Sequence, residues 1–138
     1  MNVNRVTLIT LGVEDLARAC AYYDAIGWVP EAVLPEVAFY AMNGMKLGFF
    51  SLEGLAKETG RDKADLKTGA MTLAQNFASE AEVDAAFDRA LQAGASAVTR
   101  PTKTDWGGYS GYVADPDGHL WEFAFNPFWE LDQDGQLK

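Results

Sequence analysis

A chain of 138 residues, 49% of them apolar, can bury one good core, so a single domain over residues 1–138 is expected. Eleven basic residues stand against 20 acidic ones, and the net charge of −9 excludes nucleic acid as a partner, because that affinity comes from neutralising phosphates. The single Cys20 excludes an internal disulfide, no apolar run nears the roughly 20 residues that span a bilayer, and Met1 to Arg5 lacks a signal-peptide core, so a soluble, cytoplasmic protein without a membrane partner is expected.

Arg5 to Val13 is β-rich and apolar and reads as a buried strand. Glu14 and Asp15 suit a helix N-terminus. Leu16, Ala19, Cys20, Tyr23 and Ile26 then fall on one helical face, and Gly27 is placed to end it. Cys20 reads as a small core residue on that stripe. Trp28 to Val33 is expected as a second strand. Val37 to Met42 and Met45 to Ser51 form a hairpin across Asn43-Gly44, the strongest short hairpin signal there is. Residues 5–52 therefore read β-α-β-β-β.

A connector follows over 53–69. Leu52, Leu55 and Ala56 suggest a short helix there. Lys57, Arg61, Lys63 and Lys67 make the segment either a candidate anion-facing lid or a solvated linker, and the linker is the plainer reading.

Residues 70–126 repeat the order. Ala70 to Phe77 is strand-like, and Ser79 with Glu82 forms a capping-box signature. Val83, Ala86, Phe87, Ala90 and Leu91 give an apolar helical stripe stopped by Gly94. Ser96 to Thr99 reads as a short strand ended by Pro101. A loop with Trp106-Gly107-Gly108 precedes the last hairpin, and 127–138 is a tail.

That hairpin carries the chemistry. In Asp115-Pro116-Asp117-Gly118 the proline presets φ, the aspartate accepts local backbone bonds and the glycine tolerates φ > 0, so the turn is type I with a glycine bulge. Along His119 to Phe125, alternation puts Glu122 on one face with Leu120 and Ala124, and Trp121, Phe123 and Phe125 on the other. A carboxylate there is either water-solvated at an edge or a polar spot in a cavity. His119 reads as a turn residue.

The run DPDGHLWEF resembles the last hairpin of the vicinal oxygen chelate superfamily, which includes glyoxalase I, bleomycin-resistance proteins and extradiol dioxygenases. With the repeated β-α-β-β-β order, the resemblance covers nearly the whole chain. It implies an α+β fold, two tandem βαβββ modules forming an open, barrel-like mixed sheet around a cavity with helices outside, and, as in many members, a homodimer. Metal-binding members take ligands from the first and last strands of each module. Laid over this chain, the family pattern puts the usual His positions at Leu8 and at or near Thr72, and a Glu position at Leu47 or Phe49. Of those positions only Glu122 keeps a ligand-type side chain, and the chain holds one His, so no metal or other cofactor is expected.

Glu122 is then a candidate general base or hydrogen-bonding anchor for a cationic group; structurally, it could instead be satisfied by backbone or by Asn76 or Tyr112. Asn76 should share a face with Ala74 and Thr72 and form a second polar anchor. Eight of the 17 aromatics lie between Trp106 and Trp129, and Trp106, Tyr109, Phe128 and Trp129 suit a pocket wall or subunit contact. The candidate ligand-binding set is Leu8, Thr10, Thr72, Asn76, Trp106, Tyr109, Tyr112 and Glu122. The leading expectation is metal-free binding of a small aromatic or cationic molecule, in the manner of bleomycin-resistance relatives that sequester without chemistry. The alternatives are a lyase or isomerase using Glu122 as base, or a metal-dependent glyoxalase- or dioxygenase-type enzyme with unusual ligands.

Overall fold

The computed structural model describes residues 3–138. The chain forms two compact units, Met1–Lys67 and Thr68–Lys138, each built on one four-stranded mixed sheet that does not close on itself. The fold is α+β.

In the first unit the elements are β1 (Leu8–Val13), α1 (Leu16–Ala25), β2 (Ala32–Val33), β3 (Val37–Met42), β4 (Met45–Ser51) and α2 (Leu52–Thr59), followed by a single 3-10 turn at Lys63–Asp65. The strand order is β1-β4-β3-β2, with β1 parallel to β4 and the other pairs antiparallel. Asp15 caps α1, its Oδ1 accepting from the Arg18 N–H, and Gly27 follows the helix at φ 98°. The helix packs on β3 and β4 over an aromatic core in which Tyr23 stacks on Phe49 at 4.4 Å and Tyr40 meets Phe49 edge-on. Burial pushes the Tyr40 phenol well above its ordinary range, with the Cys20 thiol and Asp24 adding to the effect. Cys20 is partly buried beside it.

Two expectations change here. The first strand begins at Leu8 rather than Arg5. The strand expected from Trp28 shrinks to Ala32–Val33, because the Trp28 ring is drawn onto Tyr23 and Tyr40 and Pro30 has no N–H to give a ladder. In the connector, Lys63 donates to Glu53 Oε1 at 2.6 Å and to Glu14 Oε1 at 3.1 Å, so that cation is neutralised within the unit.

The second unit runs β5 (Thr72–Phe77), α3 (Glu80–Ala93), β6 (Ser96–Lys103), β7 (Tyr109–Ala114) and β8 (Leu120–Phe125), with strand order β5-β8-β7-β6. The capping box forms: Ser79 Oγ accepts from the Glu82 N–H, while Glu82 Oε2 accepts from Ser79 Oγ–H and from the Ala78 N–H. Gly94 ends α3 at φ 117°. The helix packs on all four strands, burying Val83, Phe87 and Ala90 against Val113, Trp121 and Phe123.

The strand expected to end before Pro101 continues to Lys103. It lies at the sheet edge, where a missing N–H costs no ladder bond, and it shifts register twice between Ala97 and Thr102. Gly111 on β7 lets the proline approach, since a Cβ there would lie 2.7 Å from the Pro101 nitrogen.

Candidate functional site on the free face of the second sheet

The turn sets the register of the site. Asp115, 4% exposed, uses Oδ1 to accept from the N–H groups of Asp117 and His119, both at 2.9 Å. The Gly118 N–H returns to the Asp115 carbonyl, and Gly118 stands at φ 87°. Thus closed, the hairpin pairs Tyr112 with Glu122 and Ser110 with Ala124. On the other side of β8, the parallel strand β5 places Thr72 beside Leu120, Ala74 beside Glu122 and Asn76 beside Ala124.

Paired residues share a face, so Thr72, Asn76, Tyr112 and Glu122 come together on the sheet surface away from α3. Trp121 and Phe123 face the helix and are buried. Glu122 is half-buried and accepts a hydrogen bond from Tyr112, whose phenol is raised above its ordinary value by burial first, then by the charge of Glu122 and that hydrogen bond. The carboxylate is held by Tyr112 and has small residues beside it on this face, Ala74 across the parallel pair and Ala124 two residues on, the latter buried.

Other candidates lie elsewhere. Tyr109 pairs with Phe125 on the helix face, and its hydroxyl donates to Asp84 Oδ1 at 2.7 Å. That bond, with burial and the acidic neighbours behind it, pushes the phenol up to about 12. Trp106, 48% exposed, folds over Gly108 in the β6–β7 loop. Leu8 and Thr10 belong to the first unit, paired with Lys46 and Gly48 on the face away from buried Leu11 and Val13. His119 contributes its backbone N–H to the turn.

One motif went unread in the sequence. Asp132-Gln133-Asp134-Gly135-Gln136 in the tail repeats the Asp115 turn: Asp132 Oδ1 accepts from the Asp134 and Gln136 N–H groups, and Gly135 has φ 81°. The shared D-x-D-G pattern was the available signal.

The sequence profile described as the glyoxalase/bleomycin resistance protein/dioxygenase superfamily matches residues 4–123. The chain belongs to that superfamily. Among solved structures, a glyoxalase-related enzyme from Fulvimarina pelagi is 38% identical, with 99% of this chain and 98% of that one covered and a TM-score of 0.92. The metallothiol transferase FosB of Shouchella clausii is 28% identical over 122 residues, 87% of this chain and 79% of its own length. An uncharacterised protein of Mycobacterium bovis is 47% identical over 53 residues, a match that spans 38% of this chain and 34% of that protein.

The superfamily's metal can be tested against the donors present. β1 and β5 occupy equivalent places, each ending two residues before its helix cap at Asp15 or Ser79, so Leu8 and Thr72 correspond. By the same logic the partner of Thr10 corresponds to the partner of Ala74, which equates Gly48 with Glu122. This corrects the sequence-based assignment of Leu47 or Phe49, both buried under α1's side of the sheet. A leucine and a glycine supply no side-chain ligand, and a threonine hydroxyl replaces the imidazole or carboxylate with a weak neutral donor. Among the described residues no group of three or more His, Cys, Asp or Glu side chains could hold a metal ion. The residues present do not fit one.

Proposed function

We propose that this superfamily member binds a small aromatic or cationic molecule on the free face of its second sheet, without a metal, and that it does so as a homodimer. The observation that carries the reading is the placement of Glu122: a half-buried carboxylate held by Tyr112, with Thr72 and Asn76 on the same face. A cationic group meeting it gains a charge-assisted hydrogen bond, worth roughly 1.5–3 kcal/mol. The acidic balance of the chain, −9, favours approach of cations. Thr72 and Asn76 add hydroxyl and amide groups that can orient a polar substituent.

A second reading has its own support. The Fulvimarina pelagi relative is described as an enzyme, and Glu122 could serve this chain as the general base of a lyase or isomerase.

One substitution addresses both. Glu122→Gln keeps the shape and an acceptor for Tyr112 while removing the charge. The fold should survive, and affinity for cationic aromatic compounds should fall about tenfold, the equivalent of 1.4 kcal/mol. Thermal-shift screening of both proteins reads this out, and equal ligand-induced shifts would refute the binding role. Ligand proton exchange that stops with Glu122→Gln would support the enzyme reading.

A further inference from the structure

The tail builds a second cleft, which meets the Glu122 face at Asn76. It is about 410 Å³, within the range of small-ligand sites, and opens between the ends of β5 and β8, the start of α3 and the tail. Phe125 and Trp129 give it aromatic walls, Glu82 and Asp132 give it two carboxylates, and Asn126 and Gln133 add amides. Neither Lys nor Arg is among its lining residues.

Both carboxylates are fixed in place by one oxygen. Glu82 is held through Oε2, at 3.0 Å from the Ala78 nitrogen and 3.2 Å from Ser79 Oγ. Asp132 is held through Oδ1, at 2.8 Å from the Asp134 nitrogen and 2.9 Å from that of Gln136. Each has a second oxygen outside those bonds. Two anchored anions with no lining base leave an uncompensated negative field in a partly apolar cleft. Trp129, 56% exposed, presents the aromatic surface that binds cations best. Eight of the twelve lining residues lie beyond residue 123, where the superfamily match ends.

We propose that this cleft is a binding site for a small alkylammonium compound carrying a hydroxyl group. The ammonium sits between the Trp129 ring and the two carboxylates, and the hydroxyl meets the amides of Asn126 or Gln133. Strong hydration makes a bare metal ion a poor match for aromatic walls, whereas methylated ammonium is weakly hydrated and suits them.

The probe is choline, with dimethylbutanol as its uncharged carbon isostere. In a nuclear magnetic resonance titration of the full chain, choline should shift the Trp129 indole and the Gln133 and Gly135 amides saturably. Asp132→Asn retains an acceptor for the turn and should weaken choline about tenfold. Glu82→Gln should do the same through the other anchor and keeps the test decisive if the tail turn loosens. The isostere should bind at least about tenfold more weakly. The proposal is overturned by an absence of saturable shifts at roughly 20 mM, by equal binding of the isostere, or by both charge-removing variants binding as well as wild type.

Discussion

Asp115 closes the hairpin that presents Glu122, and its removal has a calculable cost. Asp115→Ala deletes two hydrogen bonds from backbone N–H groups to a buried carboxylate, each at 2.9 Å. Bonds to a charged group contribute roughly 1.5–3 kcal/mol each. Both go to the same oxygen and water can reach part of the opened turn, so about 3 kcal/mol is the expected loss for the pair. Unfolding a chain of 138 residues carries an entropy of about 0.3 kcal/mol/K near the midpoint, which turns that loss into a Tm drop of about 10 °C. Asp115→Asn offers an oxygen to the same two N–H groups without the charge, and should lose about half as much. Circular dichroism melts of the three proteins, paired with denaturant titrations to check for a constant m-value, measure both numbers. A Tm for Asp115→Ala within about 2 °C of wild type, or an Asn variant as damaged as the Ala variant, would refute the idea that side-chain capping holds this turn.

Tyr109 gives a pH-dependent expectation. Its phenol is raised from 10.0 to about 12, chiefly by the bond to Asp84, so the neutral phenol is favoured in the folded protein and its contribution is intact below pH 10 and lost as pH climbs toward 12. Asp84→Ala should move the Tyr109 step of the tyrosinate absorbance titration to lower pH, and superimposable curves would count against the bond. The homodimer proposal rests on apolar surface such as Val29 at 81% and Phe128 at 76% exposure. Light scattering at micromolar concentration should return twice the chain mass, and a monomer mass would end that proposal.

What could be read from the sequence was what short-range chemistry decides. Asn43-Gly44 and Asp115 to Gly118 announce their hairpins because each turn needs a positive φ at one glycine, and Gly44 and Gly118 supply it at 80° and 87°. The helix ends were legible from local chemistry too: Asp15 and Ser79 begin α1 and α3 with side-chain oxygens that accept backbone N–H groups, and Gly94 ends α3 at φ 117°. The orientation of Glu122 followed from alternation along one strand.

Misses came where pairing across the chain decides. Pro101 could not be placed without knowing that its strand sits at an edge with a glycine opposite. Trp28 could not be separated from a strand without the aromatic core that claims it. The equivalence of Gly48 with Glu122 depends on the parallel register of β1 with β4, which no local pattern encodes. Tyr109 and Tyr112 stand three residues apart on one strand, and that odd spacing already separates their faces.

The bulged, proline-bearing edge strand has a consequence for misassembly. A sheet edge is a row of unmet N–H and C=O groups that will accept a foreign strand unless something spoils it. In the second unit β6 is spoiled by Pro101 and its two register shifts, and in the first unit β2 is only two residues long. Each unit's remaining edge is its first strand, β1 or β5, six residues long and in unbroken register with its neighbour. Within its own unit each of these is the regular template on offer. During refolding at high concentration, recruitment of strands from other chains will begin at Leu8–Val13 and Thr72–Phe77, and a charge added to either will do more for solubility than one added to β2 or β6.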